Sequence, residues 1–362
     1  MKRICNLLLA ALCMMILLPC KADALPREVE EILPEEARDI LDDSGEEADG
    51  TPSLSGGLAA LWNAGWKSVR SLLRESLEGA VLLLCAVLLC ALADDCSKAA
   101  DNQRVIHMVP AVGAVVVTMI ASGDVHALIG VGMEAMDTLN TFSKALLPTL
   151  MAAIAAGGGA TSAGVRHVAA AFFADILISL IRNVLLPLVY IYIAAAAADV
   201  LVPGRRLGTI ARAIGKGTTW ILSGLLILYT GYLTLAGAAA SSADALAVQL
   251  TRSAMGAVPV VGGIISDAAG TVLNGAAVLK NTVGIAGTLA VLAVCLMPFL
   301  RLAIQYLLYK ATAFLAGTIG SKELVGLIDD LGGAFGLVLG MTGACAVLLL
   351  ISTISSIMVV TA

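Results

Sequence analysis

Apolar residues in this chain form one short run at the N-terminus and a series of longer runs from about residue 77 onward, with a polar, acidic stretch between them. The first run, Leu7 to Leu18, follows Lys2 and Arg3 and precedes Ala22-Asp23-Ala24. A basic start, about a dozen apolar residues and an A-x-A site describe a cleavable secretory signal; a span needs about twenty residues. The pattern divides the chain into a signal peptide (1–24), an acidic extracytoplasmic segment with amphipathic helices (25–76) and a multi-span domain (77–362). Cleavage after Ala24 starts the mature chain at Leu25, outside the membrane.

Within the acidic segment, Val29, Ile32, Leu33, Ala37, Ile40 and Leu41 recur at helical spacing with Glu and Asp between them. That is one amphipathic helix, read either as a solvated surface helix or as a docking helix for a partner. Residues 42–57 are rich in Asp, Glu, Ser, Gly and Pro and read as a linker. Trp62 and Trp66, followed by Lys67, Arg70 and Arg74, predict an interfacial helix with its tryptophans at headgroup level.

The longer runs predict an all-α polytopic bundle of about six to eight spans. They fall at 77–93, 105–122, 128–157, 168–202, 218–240, 283–300, 302–319 and 333–360. Run 168–202 is too long for one upright helix and contains Arg182, Asn183 and Pro187, so it reads as a tight hairpin or as one broken, tilted helix. Leu-Leu-Pro at Leu146–Pro148 and Leu185–Pro187, with Leu296-Met297-Pro298, marks possible kinks.

Residues 203–217 hold Arg205, Arg206, Arg212 and Lys216 and no acid, which assigns this segment to the cytoplasm by the positive-inside rule. An exported N-terminus then requires an odd number of crossings before it. A hairpin at 168–202 makes five and fits; a single crossing makes four and does not. The hairpin is therefore the expectation.

Composition agrees with a membrane protein: mean hydropathy is +0.95, with 59% hydrophobic and 14% charged residues, against about a quarter charged in soluble domains. A sequence pI near 5.2 and the lack of a basic, aromatic-interleaved patch argue against nucleic acid as a partner. Cys5, Cys13 and Cys20 leave with the signal and none of the remaining five lies in the exported segment, so no disulfide framework is indicated.

No catalytic, cofactor or metal site is expected. Gly215-Lys216-Gly217-Thr218-Thr219 lacks the first glycine of a P-loop, which is Ile210 here, and has Gly217 at the Ser/Thr position. His107, His126 and His167 have no second ligand at metal spacing. The polar candidates are structural or lining residues. Asp175 and Arg182, two helical turns apart with Ser179 between them, form a candidate intramembrane pair. Such a pair is either an ion pair holding the bundle or part of a polar lining. Gly332, Gly336 and Gly340 form a helix-packing stripe. Pro259, Gly262, Gly263, Asp267, Asn274 and Lys280 mark a Gly-rich segment unsuited to a continuous lipid-facing helix. It is a candidate re-entrant or partner-contacting element, with a plain loop as the alternative.

Residues 257–268 (Ala-Val-Pro-Val-Val-Gly-Gly-Ile-Ile-Ser-Asp-Ala), continuing through Thr271-Val272-Leu273 to residues 278–284 (Val-Leu-Lys-Asn-Thr-Val-Gly), resemble the stage III sporulation protein AE family of endospore-forming bacteria. Leu33 to Ala37, residues 142–158 and residues 304–310 with their Tyr-Leu-Leu-Tyr-Lys support the resemblance. It implies a non-enzymatic, multi-pass protein of the mother-cell membrane around the forespore. There it would serve the channel, or feeding-tube, apparatus needed for late forespore development. The implied partners are the other stage III sporulation A-operon proteins and the forespore protein Q, besides membrane lipid. The alternative is a stand-alone secondary transporter of a small solute.

Overall fold

The computed structural model describes residues 37–39, 54–99, 103–156, 160–201, 207–256 and 262–358. Apart from Ala37, Arg38 and Asp39, these residues form a succession of long helices: α1 (Leu54–Ala99), α2 (Gln103–Ala156), α3 (Ala160–Leu180), a π-turn (Ile181–Leu185), α4 (Leu186–Leu201), α5 (Leu207–Gly256), α6 (Gly262–Ala316) and α7 (Lys322–Met358), with a short turn at 317–321. Among the described residues there is no strand. Six helical stretches among the described residues are long and apolar enough to cross a membrane, the π-turn joining α3 and α4 into one of them. The predicted signal (1–24) and half of the predicted acidic segment (25–76) lie outside the described residues.

Close contacts at glycines give the direction of each helix. Gly113 of α2 meets Cys90 of α1, and Gly79 of α1 approaches Asp124 of α2, so the two are antiparallel. Gly287 of α6 meets Leu146, and Gly332 and Gly336 of α7 meet Tyr309 and Tyr306 of α6, so α6 runs against both α2 and α7. The result is an up-and-down bundle. At its centre α2, α6 and α7 bury Leu139, Phe142, Leu146, Leu150, Leu302, Phe335 and Met341, each no more than 1% exposed.

Three expected breaks are absent, each for a local reason. Runs 105–122 and 128–157 are one helix of 54 residues, about 81 Å long. Asp124, in the gap between them, is held by hydrogen bonds from α6, so the helix passes through it. Runs 283–300 and 302–319 are likewise one helix; Arg301 between them is exposed and leaves the helix intact. The expected hairpin at 168–202 is overturned: α3, the π-turn and α4 form one rod. Pro187 explains the wide turn. It has no N–H to give the carbonyl four residues back, and the Leu186 N–H just before it reaches back to the Ile181 carbonyl.

These corrections leave the parity argument intact by another route. Three rods, α1, α2 and the α3–α4 unit, precede the basic 203–217 segment, again an odd number. α1 also runs unbroken through residues 76–77, where the sequence places the edge of the membrane domain. Trp62 and Trp66 therefore stand on the same rod as the first span, not on a separate helix. They are 74% and 70% exposed, with rings stacked at 6.4 Å.

Ala37 belongs to the amphipathic stretch that the sequence predicts from Val29 to Leu41. It is buried in the core of the bundle, beside Val131 and Ala135 of α2 and Val294 and Pro298 of α6. This point of the stretch packs against its own chain.

Candidate functional site

The polar residues of the bundle fall into separate groups, and the predicted pair is not one of them. Arg182, on the π-turn, is ion-paired with Asp137 of α2. Asp175 is exposed on α3 and takes no part. Seven residues share a face only on a regular α-helix; the wider turn beginning at Ile181 moves Arg182 off the line of Asp175. The Asn183 amide meanwhile donates to the Ser179 hydroxyl at 3.1 Å.

A second group was not legible as a site. The Gln305 amide and the Tyr309 hydroxyl of α6 both donate to Oδ2 of Asp124, each at 2.9 Å. Gln305 and Tyr309 are 6% and 1% exposed. Asp124 falls between two predicted runs, 105–122 and 128–157, while Gln305 and Tyr309 lie in a stretch (residues 304–310) noted only for family resemblance.

Nearby, Lys310 is paired with Asp329 of α7 at 2.6 Å and donates to the Asp329 carbonyl at 3.0 Å. Tyr192 of α4 donates to Asp330 at 3.5 Å. Asp199, at the end of α4, accepts the Gly208 N–H at 2.7 Å and so caps the first turn of α5. Toward the other end, Arg166 of α3 is buried and donates to the carbonyl and hydroxyl of Ser355, in the last turns of α7, where free carbonyls favour a cation. The Tyr229 hydroxyl meets that of Ser352.

One cavity, of about 240 Å³, opens between α2 and α6. Its wall includes Glu134, Thr138, Met297, Pro298 and Arg301, with Ala37 at its edge. Glu134 and Arg301 carry opposite charges, are both exposed, and have no ion-pair partner among the described residues.

The glycine stripe is only partly a packing seam. A Cβ at Gly332 or Gly336 would come within 3.1 Å of Tyr309 or Tyr306 of α6, whereas one at Gly340 would meet nothing within 4 Å. Gly340 instead lines an open groove shared with Thr219, Leu222 and Leu226 of α5. Of the Gly-rich segment, Pro259 lies outside the described residues. Gly262, Gly263, Asp267, Asn274 and Lys280 lie on the first turns of α6, so the backbone is helical where the composition pointed to irregularity. Their side chains lie outside the described residues.

Comparison with known proteins turns on the same helices. The sequence model of the family described as stage III sporulation protein AE matches residues 54–362, the whole helical bundle. The chain belongs to the stage III sporulation protein AE family. Stage III sporulation protein AE of Bacillus subtilis (strain 168) is 25% identical to it over 254 residues, which is 70% of this chain. The chain spans 63% of that relative's length in the match. No solved structure matches. The match to the stage III sporulation protein AE family thus covers every helix from α1 to α7.

Proposed function

We propose that this chain is a non-enzymatic membrane subunit of the multiprotein apparatus linking mother cell and forespore, acting in its assembly or in translocation. The observation that carries the reading is the family match over the entire bundle, in which six helices among the described residues are long and apolar enough to cross a membrane. The protein resides in the mother-cell membrane around the forespore with its N-terminus outside the cytoplasm. Three rods between the exported segment and the basic 203–217 segment support that orientation. The other stage III sporulation A-operon proteins and forespore protein Q are the proposed partners, and the helical segment from Gly262 to Lys280 is the proposed contact or re-entrant element. Purification of the tagged, full-length protein from sporulating cells tests this. Co-elution of A-operon proteins is the expected result, and recovery of the chain alone under gentle extraction would overturn it.

A further inference from the structure

The cavity between α2 and α6 brings together two opposite charges that do not pair. Asp137 has Arg182, Lys310 has Asp329, and Asp124 has two donors. Glu134 and Arg301 face one cavity from two helices and are not ion-paired with each other or with any other described residue. Two opposite charges that line one cavity, stay exposed and do not pair make an arrangement that a molecule carrying both complementary charges completes.

The uncharged groups of the wall fit the same chemistry. Pro298 has no N–H, so the carbonyl of Val294, four residues back and also in the wall, lacks its intrahelical donor and is free to accept. The Thr138 hydroxyl donates to the Glu134 carbonyl at 2.9 Å, which leaves its oxygen as a further acceptor. Val131, Ala135 and Met297 supply an apolar side, and Ala37 of the exported segment closes one edge. A volume of about 240 Å³ suits a solute of amino-acid size.

We propose that this cavity is a binding site for a small zwitterionic solute of the amino-acid class. The carboxylate lies on the Arg301 guanidinium, whose fork matches carboxylate geometry. The ammonium lies on Glu134, with the Val294 carbonyl and the Thr138 oxygen as additional acceptors. Pro298 leaves α6 with a carbonyl that has lost its intrahelical donor beside the site, as the broken helices from which membrane proteins build solute sites do. The proposal is independent of membership in a larger apparatus.

The test uses purified full-length protein in lipid nanodiscs, with L-alanine, L-leucine and L-glutamate as probes. N-acetyl-L-alanine and L-alaninamide, which lack one of the two charges, are the controls. Binding is read by calorimetry and by the rise in melting temperature that a ligand of the folded state produces. At least one zwitterion is expected to bind, with both single-charge analogues of alanine at least tenfold weaker than L-alanine. Glu134→Gln and Arg301→Gln should each weaken binding tenfold or more without lowering the ligand-free melting temperature, while Lys144→Gln leaves it unchanged. No binding by any of the three zwitterions, equal binding by L-alanine and its analogues, or unchanged binding in Glu134→Gln would overturn the proposal. Should a variant fail to fold, the analogue comparison on the unmodified protein still decides. Capture of a protein helix on this face in place of any solute would also refute it.

Discussion

Arg182 of the π-turn is ion-paired with Asp137 of α2, across the bundle surface, and Asp175 on its own helix stands apart. The two side chains are 45% and 49% exposed, so solvent screens the pair and its worth is small. Asp137→Ala and Arg182→Ala should each lower stability by less than about 1 kcal/mol. Asp175→Ala should leave thermal unfolding in detergent unchanged. The charge-swapped double variant Asp137→Arg with Arg182→Asp should recover most of either loss. A loss for Asp175→Ala equal to that for Asp137→Ala would show that the pairing runs along α3 instead.

The glycines of α2 and α7 divide into packed and open positions. A Cβ at Gly132 would come within 2.5 Å of Val338, and one at Gly332 within 3.1 Å of the Tyr309 Cβ. Gly132→Val and Gly332→Val should therefore force α2 or α6 away from α7, with overpacking losses of about 1–3 kcal/mol. Gly340→Ala should be neutral, because no atom lies within 4 Å of the new methyl. Melting temperatures of the three variants order the positions. A Gly340→Ala variant as unstable as Gly332→Val would put a close neighbour on the open groove.

Asp199 closes the α4–α5 corner. Its carboxylate takes the Gly208 N–H, and a Cβ at Gly208 would come within 2.7 Å of Oδ2. Asp199→Ala should lose a helix cap worth about 0.5–2 kcal/mol, and Asp199→Asn, which keeps an acceptor, should lose less. Gly208→Ala should destabilise even though alanine is the better helix former. Thermal unfolding of the three variants measures this.

The class of the fold was legible because runs of about twenty apolar residues have few other uses. The boundaries were not, and the reasons are specific. Hydropathy drops at Asp124 and at Arg301, and a one-dimensional reading sees a loop at each. In three dimensions Asp124 is satisfied by Gln305 and Tyr309, residues about 180 positions away in sequence that no local pattern connects to it. Pro187 was visible as a break, but whether a proline ends a rod or only widens one turn depends on what its neighbours pack against. The same limit applies to Glu134 and Arg301. In the sequence they are two charges 167 positions apart, and only the packing of α2 on α6 brings them to one cavity.

Orientation can be checked without a structure of the complex. With the N-terminus outside and three crossings before the basic segment, a cysteine at position 210 should be shielded from an impermeant maleimide in intact cells and react after permeabilisation. One near residue 48 should react from outside. For this experiment Cys85, Cys90 and Cys96 are first replaced by alanine, and Cys295 and Cys345, which are buried, are retained. External labelling at position 210 would reverse the bundle.

Asp124 ties α2 to α6 through two hydrogen bonds. Its Oδ2 accepts from both the Gln305 amide and the Tyr309 hydroxyl, and Gly79 on α1 lets a third helix come close, a Cβ there lying 3.3 Å from the same oxygen. Asp124→Ala strands two buried donors, each unsatisfied group costing about 1–3 kcal/mol. Asp124→Asn keeps an oxygen that accepts one of them and should lose clearly less. Tyr309→Phe removes one donor and leaves the carboxylate with Gln305, for a loss of about 0.5–1.5 kcal/mol. Combined with Asp124→Ala it should add little, because the hydroxyl that alanine strands is already gone. Melting temperatures of the two single variants and the double variant form a closed cycle. Additive losses would mean that Asp124 and Tyr309 act separately, and that α2 continues through residue 124 for a reason other than this bond.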